Sequence, residues 1–176
     1  MPGTDDTRDP FDMTRLLAGA ARTIARVRYC WLLTTAANGD ARLRPMGRIP
    51  HDTNSEDWTV WFVTDGRSRK AADIARAGEV VLVFQHDADD AYLTLCGRAR
   101  LHTAPAEVRR RWKAAYDVYF PSEADRANAA FVAVEVTRME LWIRGVTPEP
   151  FGLRPTVLER KAGGAWRLLG AERDAA

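Results

Sequence analysis

A succession of short strand-forming runs, set at hairpin spacing, constrains this chain more than any other feature of its sequence. The first is Tyr29 to Ala36 (YCWLLTTA), and the Asn38-Gly39 pair behind it is a strong two-residue hairpin signal. Ala41 to Pro50 (ARLRPMGRIP) is the expected returning strand, and Asp52 to Asp57 reads as a polar loop. Trp58 to Thr64 (WTVWFVT) is apolar on both faces, which suits a central strand. Glu79 to Gln85 and Ala91 to His102 follow, then Phe131 to Val136 and Leu141 to Ile143 as separate strands. Two short candidates, Thr156 to Arg160 and Trp166 to Leu169, flank Gly163-Gly164. Within Ala91 to His102 the pattern alternates cleanly, and Gly97 marks a bulge or a close backbone approach.

Three helices punctuate these strands. Asp9-Pro10 reads as a helix start, followed by an apolar stripe at Met13, Leu16, Leu17, Ala20, Ile24 and Val27. Ser68 to Ala77 is a short helix closed by Gly78. Pro105 opens a third, with Val108, Trp112, Ala115 and Tyr116 on one face. Many strands at hairpin spacing with few helices predict an antiparallel barrel, not a doubly wound sheet. No repeat or linker divides the chain, so a single domain over 1–176 is expected, with its core at about 12–144.

Charge and cysteine content narrow the function classes. The 26 basic and 24 acidic side chains leave a net charge of only +2, which gives no support to bulk-charge binding of nucleic acid. Cys30 and Cys96 sit in apolar stretches without CxxC spacing, so neither a disulfide framework nor a metal site is expected. The N-terminus has no apolar signal core, and no run reaches the ~18 apolar residues of a membrane helix. A soluble, cytoplasmic protein is expected.

Two stretches could carry chemistry. In Trp61 to Ile74 (WFVTDGRSRKAADI) a buried strand ends at Thr64 and a helix begins near Ser68. A helix start exposes unpaired N–H groups and the positive end of its dipole. Ser68, Arg69 and Lys70 add a hydroxyl and two cations there, which together make a phosphate site. A solvated, capped helix start uses the same residue types. In Arg42 to Ile49 (RLRPMGRI), Arg42, Arg44, Met46 and Arg48 share one strand face. Three arginines on one face need solvent or an anion, and Pro45 also fits an exposed edge strand. His51, His86 and His102 form no ligand pattern, and the chain has no GxSxG, GxGxxG or Walker motif. The aromatic run Trp112, Tyr116, Tyr119 and Phe120 reads as core or subunit packing. No side chain stands out as an acid or base, so no catalytic residue is assigned.

The order of these motifs, an NG hairpin, "RPM", "WFVT", "SRKA" and "YLTLCGRARL", resembles the pyridoxamine 5′-phosphate oxidase-like superfamily, and within it the general-stress-protein type of FMN-binding split barrel. The resemblance runs from about Met13 to Trp142. It implies a six-stranded antiparallel split β-barrel that dimerises with itself and holds FMN at the subunit interface. By motif it implies cofactor contacts at Arg44, Pro45 and Met46, at Val63 and Thr64, and at Ser68, Arg69 and Lys70. It adds Trp142 late in the chain, and Tyr92 near a flavin-contacting position. It points to an FMN-dependent oxidoreductase acting on an unassigned small substrate. The Arg-x-His element of the true oxidases is missing from GVTPEPFGLRPTVLE, which argues against pyridoxamine phosphate oxidation. A reductase using the deazaflavin F420 or a nicotinamide, a non-enzymatic flavin-binding stress sensor, and a barrel without a ligand remain open alternatives.

Overall fold

The computed structural model describes residues 12–50 and 57–169. The Asp9-Pro10 helix start, His51 and most of the Asp52 to Asp57 loop lie outside the described residues. Helix α1 (Met13–Arg26) has Asp12 as its N-cap, whose side chain accepts from the Thr14 N–H. Its apolar stripe buries Leu16 and Ala20 completely.

Strands β1 (Tyr29–Thr35), β2 (Ala41–Ile49), β3 (Thr59–Asp65), β4 (Glu79–His86), β5 (Ala91–His102) and β6 (Ala129–Ile143) form a sheet in the order β3-β2-β1-β4-β5-β6, with every described pairing antiparallel. A further antiparallel pairing of β3 with β6, from Thr59↔Glu135 to Asp65↔Ala129, closes it into a six-stranded barrel. The hairpin β7 (Thr156–Glu159) and β8 (Arg167–Leu168) continues outward from β6. Leu32, Phe62, Leu82, Phe84, Leu95, Val132 and Leu141 fill the interior, each fully buried. Among the described residues no helix is long and apolar enough to cross a membrane.

Two sequence expectations need correction. The two runs expected at 131–136 and 141–143 are one strand of 15 residues, β6 (Ala129–Ile143). The buried set is Val132, Val134 and Val136, then Met139, Leu141 and Ile143. The spacing of three between Val136 and Met139 breaks the two-residue period and looks like an interruption. It is a bulge: Gly97 pairs with Val136 and Cys96 with Arg138, which leaves Thr137 as the extra residue. Gly97 is required there, since a Cβ would stand 2.3 Å from the Glu135 carbonyl oxygen. The helix opened by Pro105 (α3, Pro105–Arg111) stops before Trp112, which is extended at φ −62°, ψ 138°. Trp112, Tyr116 and Phe120 instead interlock edge to face, with ring centroids 5.5–5.7 Å apart for the two pairs through Trp112. A short helix, α4 (Glu123–Ala127), carries a capping box between Ser122 and Asp125.

The barrel is not uniformly laced. Strand β2 pairs with β1 along Ala41 to Gly47 but with β3 only at Arg48↔Phe62 and Ile49↔Trp61. Beyond that point the two strands part, and Met46 and Thr64 lose the partnership that continued pairing would give them. Pro45 falls in this free-edged stretch, where a strand tolerates a residue without an N–H. Helix α2 (Arg69–Ala77) spans the gap from its Ser68 N-cap to its left-handed Gly78 C-cap.

Candidate functional site

The parting of β2 and β3 opens a groove of about 700 Å³. Pro45 to Pro50 line it from β2, Val63 to Asp65 from the end of β3, and Lys70 from the first turn of α2. Arg28, Tyr29 and Asp125 contribute at the rim, and Ala115, Tyr116, Tyr119 and Phe120 complete the wall. A groove of this size holds a drug- or cofactor-sized molecule.

Its basic end is built around one buried carboxylate. Asp73, 6% exposed on α2, accepts from the Thr34 hydroxyl at 2.9 Å and from Arg42 at 3.2 Å. Arg44 donates to the same Thr34 oxygen at 2.7 Å and lies 4.0 Å from Asp73. Burial first, and then the charge of Arg44, holds the Lys70 ammonium below its ordinary pKa, with Asp65 opposing. Burial also lowers Arg44, against the attraction of Asp73, and the charges of Arg42 and Arg69 add to the lowering. Arg42 and Arg44 thus share one carboxylate, the charge of Arg69 acts on Arg44 and that of Arg44 on Lys70, and among the described residues Lys70 and Arg69 make no hydrogen bond or ion pair. The Thr64 hydroxyl, in a residue only 4% exposed, has no hydrogen-bond partner. A buried unpaired hydroxyl and uncompensated cations are costly features that an anionic hydrogen-bonding ligand relieves.

Pro45, Met46, Val63, Thr64 and Lys70 line the groove together. Arg44 and Arg69 stand close enough for their fields to act within this cluster. Ser68 is spent as the cap of α2, its Oγ accepting from the Ala71 N–H at 3.4 Å. Tyr92 and Trp142 are not in the groove. They pair with each other across β5 and β6 on the outward face of the barrel, alternating with the buried Leu93 and Leu141. Trp112, Tyr116 and Phe120 pack in a small core cluster, as expected, and Tyr116, Tyr119 and Phe120 also line the groove. The irregular backbone here, a single turn at 114–116 followed directly by another turn at 117–119, carries no period that could have announced this lining. Among the described residues no cluster of His, Cys, Asp or Glu could hold a metal ion.

A model of the pyridoxamine 5′-phosphate oxidase like family matches residues 19–147. The chain belongs to that family. No curated protein sequence matches it. Among solved structures it is similar to a Clostridium acetobutylicum protein related to general stress protein 26 of B. subtilis, at 16% identity and a TM-score of 0.67, over 86% of this chain and 96% of that one. It is similar to a pyridoxamine 5′-phosphate oxidase-related, FMN-binding protein of Nostoc punctiforme, at 14% identity and a TM-score of 0.61, over 90% and 96% of the two chains. A structure named F420 reductase matches at 16% identity and a TM-score of 0.53, over 67% and 93%. These likenesses give the fold, a split barrel whose relatives include flavin and deazaflavin proteins.

Proposed function

We propose that this chain is an FMN-binding oxidoreductase whose cofactor phosphate sits at the start of α2. The observation that carries the reading is the conjunction at the β2–β3 parting of a Lys70 ammonium and a buried Thr64 hydroxyl, neither with a partner among the described residues. Lys70 and Arg69, with Arg44 behind them, would clamp a dianionic phosphate, each charge-assisted bond contributing roughly 1.5–3 kcal/mol. Thr64 would donate to a phosphate or ring acceptor. The free edge of β2 from Pro45 to Gly47 would lie along a flat ring system and set its orientation. When bound, FMN supplies the two-electron redox chemistry; the chain supplies position and field.

Dimer formation is part of the proposal. The outward face of the barrel exposes Tyr29 (52%), Trp31 (44%) and Leu43 (56%) on neighbouring strands. Through Val83 and Thr94 the same face continues to Tyr92 and Trp142. A second copy laid across this face would cover the apolar side chains. It would also carry its Tyr92 and Trp142 towards the groove that they do not reach within one chain.

The test is a titration of purified protein with FMN. Arg69→Ala combined with Lys70→Ala should weaken FMN at least a hundredfold while the melting temperature of the cofactor-free protein holds. Unchanged affinity would remove the phosphate clamp. Absorbance after adding FMN or F420 in turn separates the two cofactors, because the F420 relative makes the deazaflavin the specific alternative.

A further inference from the structure

The groove has two chemically distinct ends, and the second is not needed for a phosphate. Away from Lys70 the wall is aromatic: Tyr116, Tyr119 and Phe120, with Tyr119 60% exposed. The charged groups beside it are already engaged. Arg48 donates to the carbonyls of Val27 at 3.0 Å and Ala25 at 2.6 Å. Arg28 lies over the Tyr29 ring at 5.1 Å. Asp125 closes the capping box with Ser122 and lies 4.0 Å from Arg67, which itself pairs with Asp65 at 2.7 Å.

Among the tyrosines that line the groove, Tyr29 and Tyr119 are exposed and Tyr116 is the buried one. Tyr116 is buried to 9% exposure, its ring held edge to face against Trp112 and Phe131. Its hydroxyl makes no hydrogen bond among the described residues, yet it is not one of the enclosed, partnerless oxygens. The oxygen is therefore not sealed from solvent, and Tyr116 is part of the groove wall. Burial raises the phenol pKa, so at neutral pH the group is a donor. A fixed ring with one free O–H, set among other rings, selects for a flat ligand that carries one acceptor.

We propose that this end of the groove takes the substrate, and that the substrate class is a flat, uncharged aromatic or conjugated ring bearing a carbonyl-type acceptor. Tyr116 donates to that acceptor, and Tyr119 and Phe120 stack or pack against the ring. The idea rests on the cofactor reading for its redox role but not for its binding.

The experiment is calorimetric titration of the full-length protein, with and without FMN, using three probes of one shape. Acetonaphthone carries the carbonyl, ethylnaphthalene lacks it, and naphthoate replaces it with a charge. Acetonaphthone should bind about tenfold more tightly than ethylnaphthalene, the worth of one buried hydrogen bond. Tyr116→Phe keeps the ring and should erase that difference; Tyr119→Ala should weaken both probes together. The idea fails if neither neutral probe binds, if Tyr116→Phe leaves the preference intact, or if naphthoate binds best. If FMN does not bind but the Tyr116-dependent preference persists, the cofactor reading falls and this one stands.

Discussion

The barrel interior and the β2–β3 groove are built from the same strands by opposite rules. Inside, Phe62, Phe84, Leu82 and Leu95 belong to one fully buried apolar cluster. At the groove, among the described residues, Lys70 and Arg69 lack hydrogen-bond and ion-pair partners, Arg44 shares Asp73 with Arg42, and the Thr64 hydroxyl is buried without a bond. The interior is optimised for the folded chain alone. On the proposed reading, the groove is built for the chain plus a ligand, which would relieve that cost.

Substitutions should separate the two regions. Phe84→Ala, at a fully buried position, should cost about 3–5 kcal/mol in chemical denaturation while the surviving folded fraction keeps its FMN affinity. Loss of affinity without loss of stability at this site would erase the distinction. Lys70→Met should do the reverse: FMN affinity falls roughly ten- to a hundredfold, while the cofactor-free protein melts no lower than the parent. Its burial penalty disappears with the charge, so a clear drop in melting temperature would show the cation to be structural.

The pH dependence follows from the same group. The Lys70 pKa is lowered in the folded chain, so the unfolded chain binds the proton more tightly. The penalty on folding is present at neutral pH and is relieved as pH rises through the depressed value. FMN binding needs the charged form and should weaken over that same alkaline window, starting below the ordinary lysine value of 10.5. Affinity that stays flat until pH 10.5 would show that Lys70 is not desolvated. The smallest effect is expected from Thr64→Val, which removes an unpaired oxygen at nearly constant shape. Stability of the cofactor-free protein should hold or rise by about 1 kcal/mol, and FMN should weaken several-fold.

The sequence was readable where the chain is periodic and where chemistry is local. Strand β5 shows its bounds, Ala91–His102, through unbroken alternation and a single glycine. The end of β3 and the start of α2 are a few residues apart, so Thr64, Ser68, Arg69 and Lys70 announce their association without any knowledge of the fold. Strand β6 is hidden by its bulge at Thr137, which shifts the buried face by one residue. The aromatic wall is hidden for a different reason. Tyr116 and Phe120 lie about fifty residues beyond Thr64, in a segment whose place is fixed by ring-to-ring packing against Phe131 and Trp112 and not by any period. Tyr92 and Trp142, named by the linear motif, lie on the outward face and away from the groove of their own chain, a separation that sequence order does not reveal.

Where β2 and β3 diverge, the barrel gives up the ladder bonds that would have joined them, and α2, which follows β3, reaches back through Asp73 to Thr34 and Arg42. A molecule seated there substitutes for the missing lacing. Its departure leaves a hinge line along the wall of the barrel, so occupancy should be legible in amide exchange at Met46 and Thr64 well before any change in overall shape.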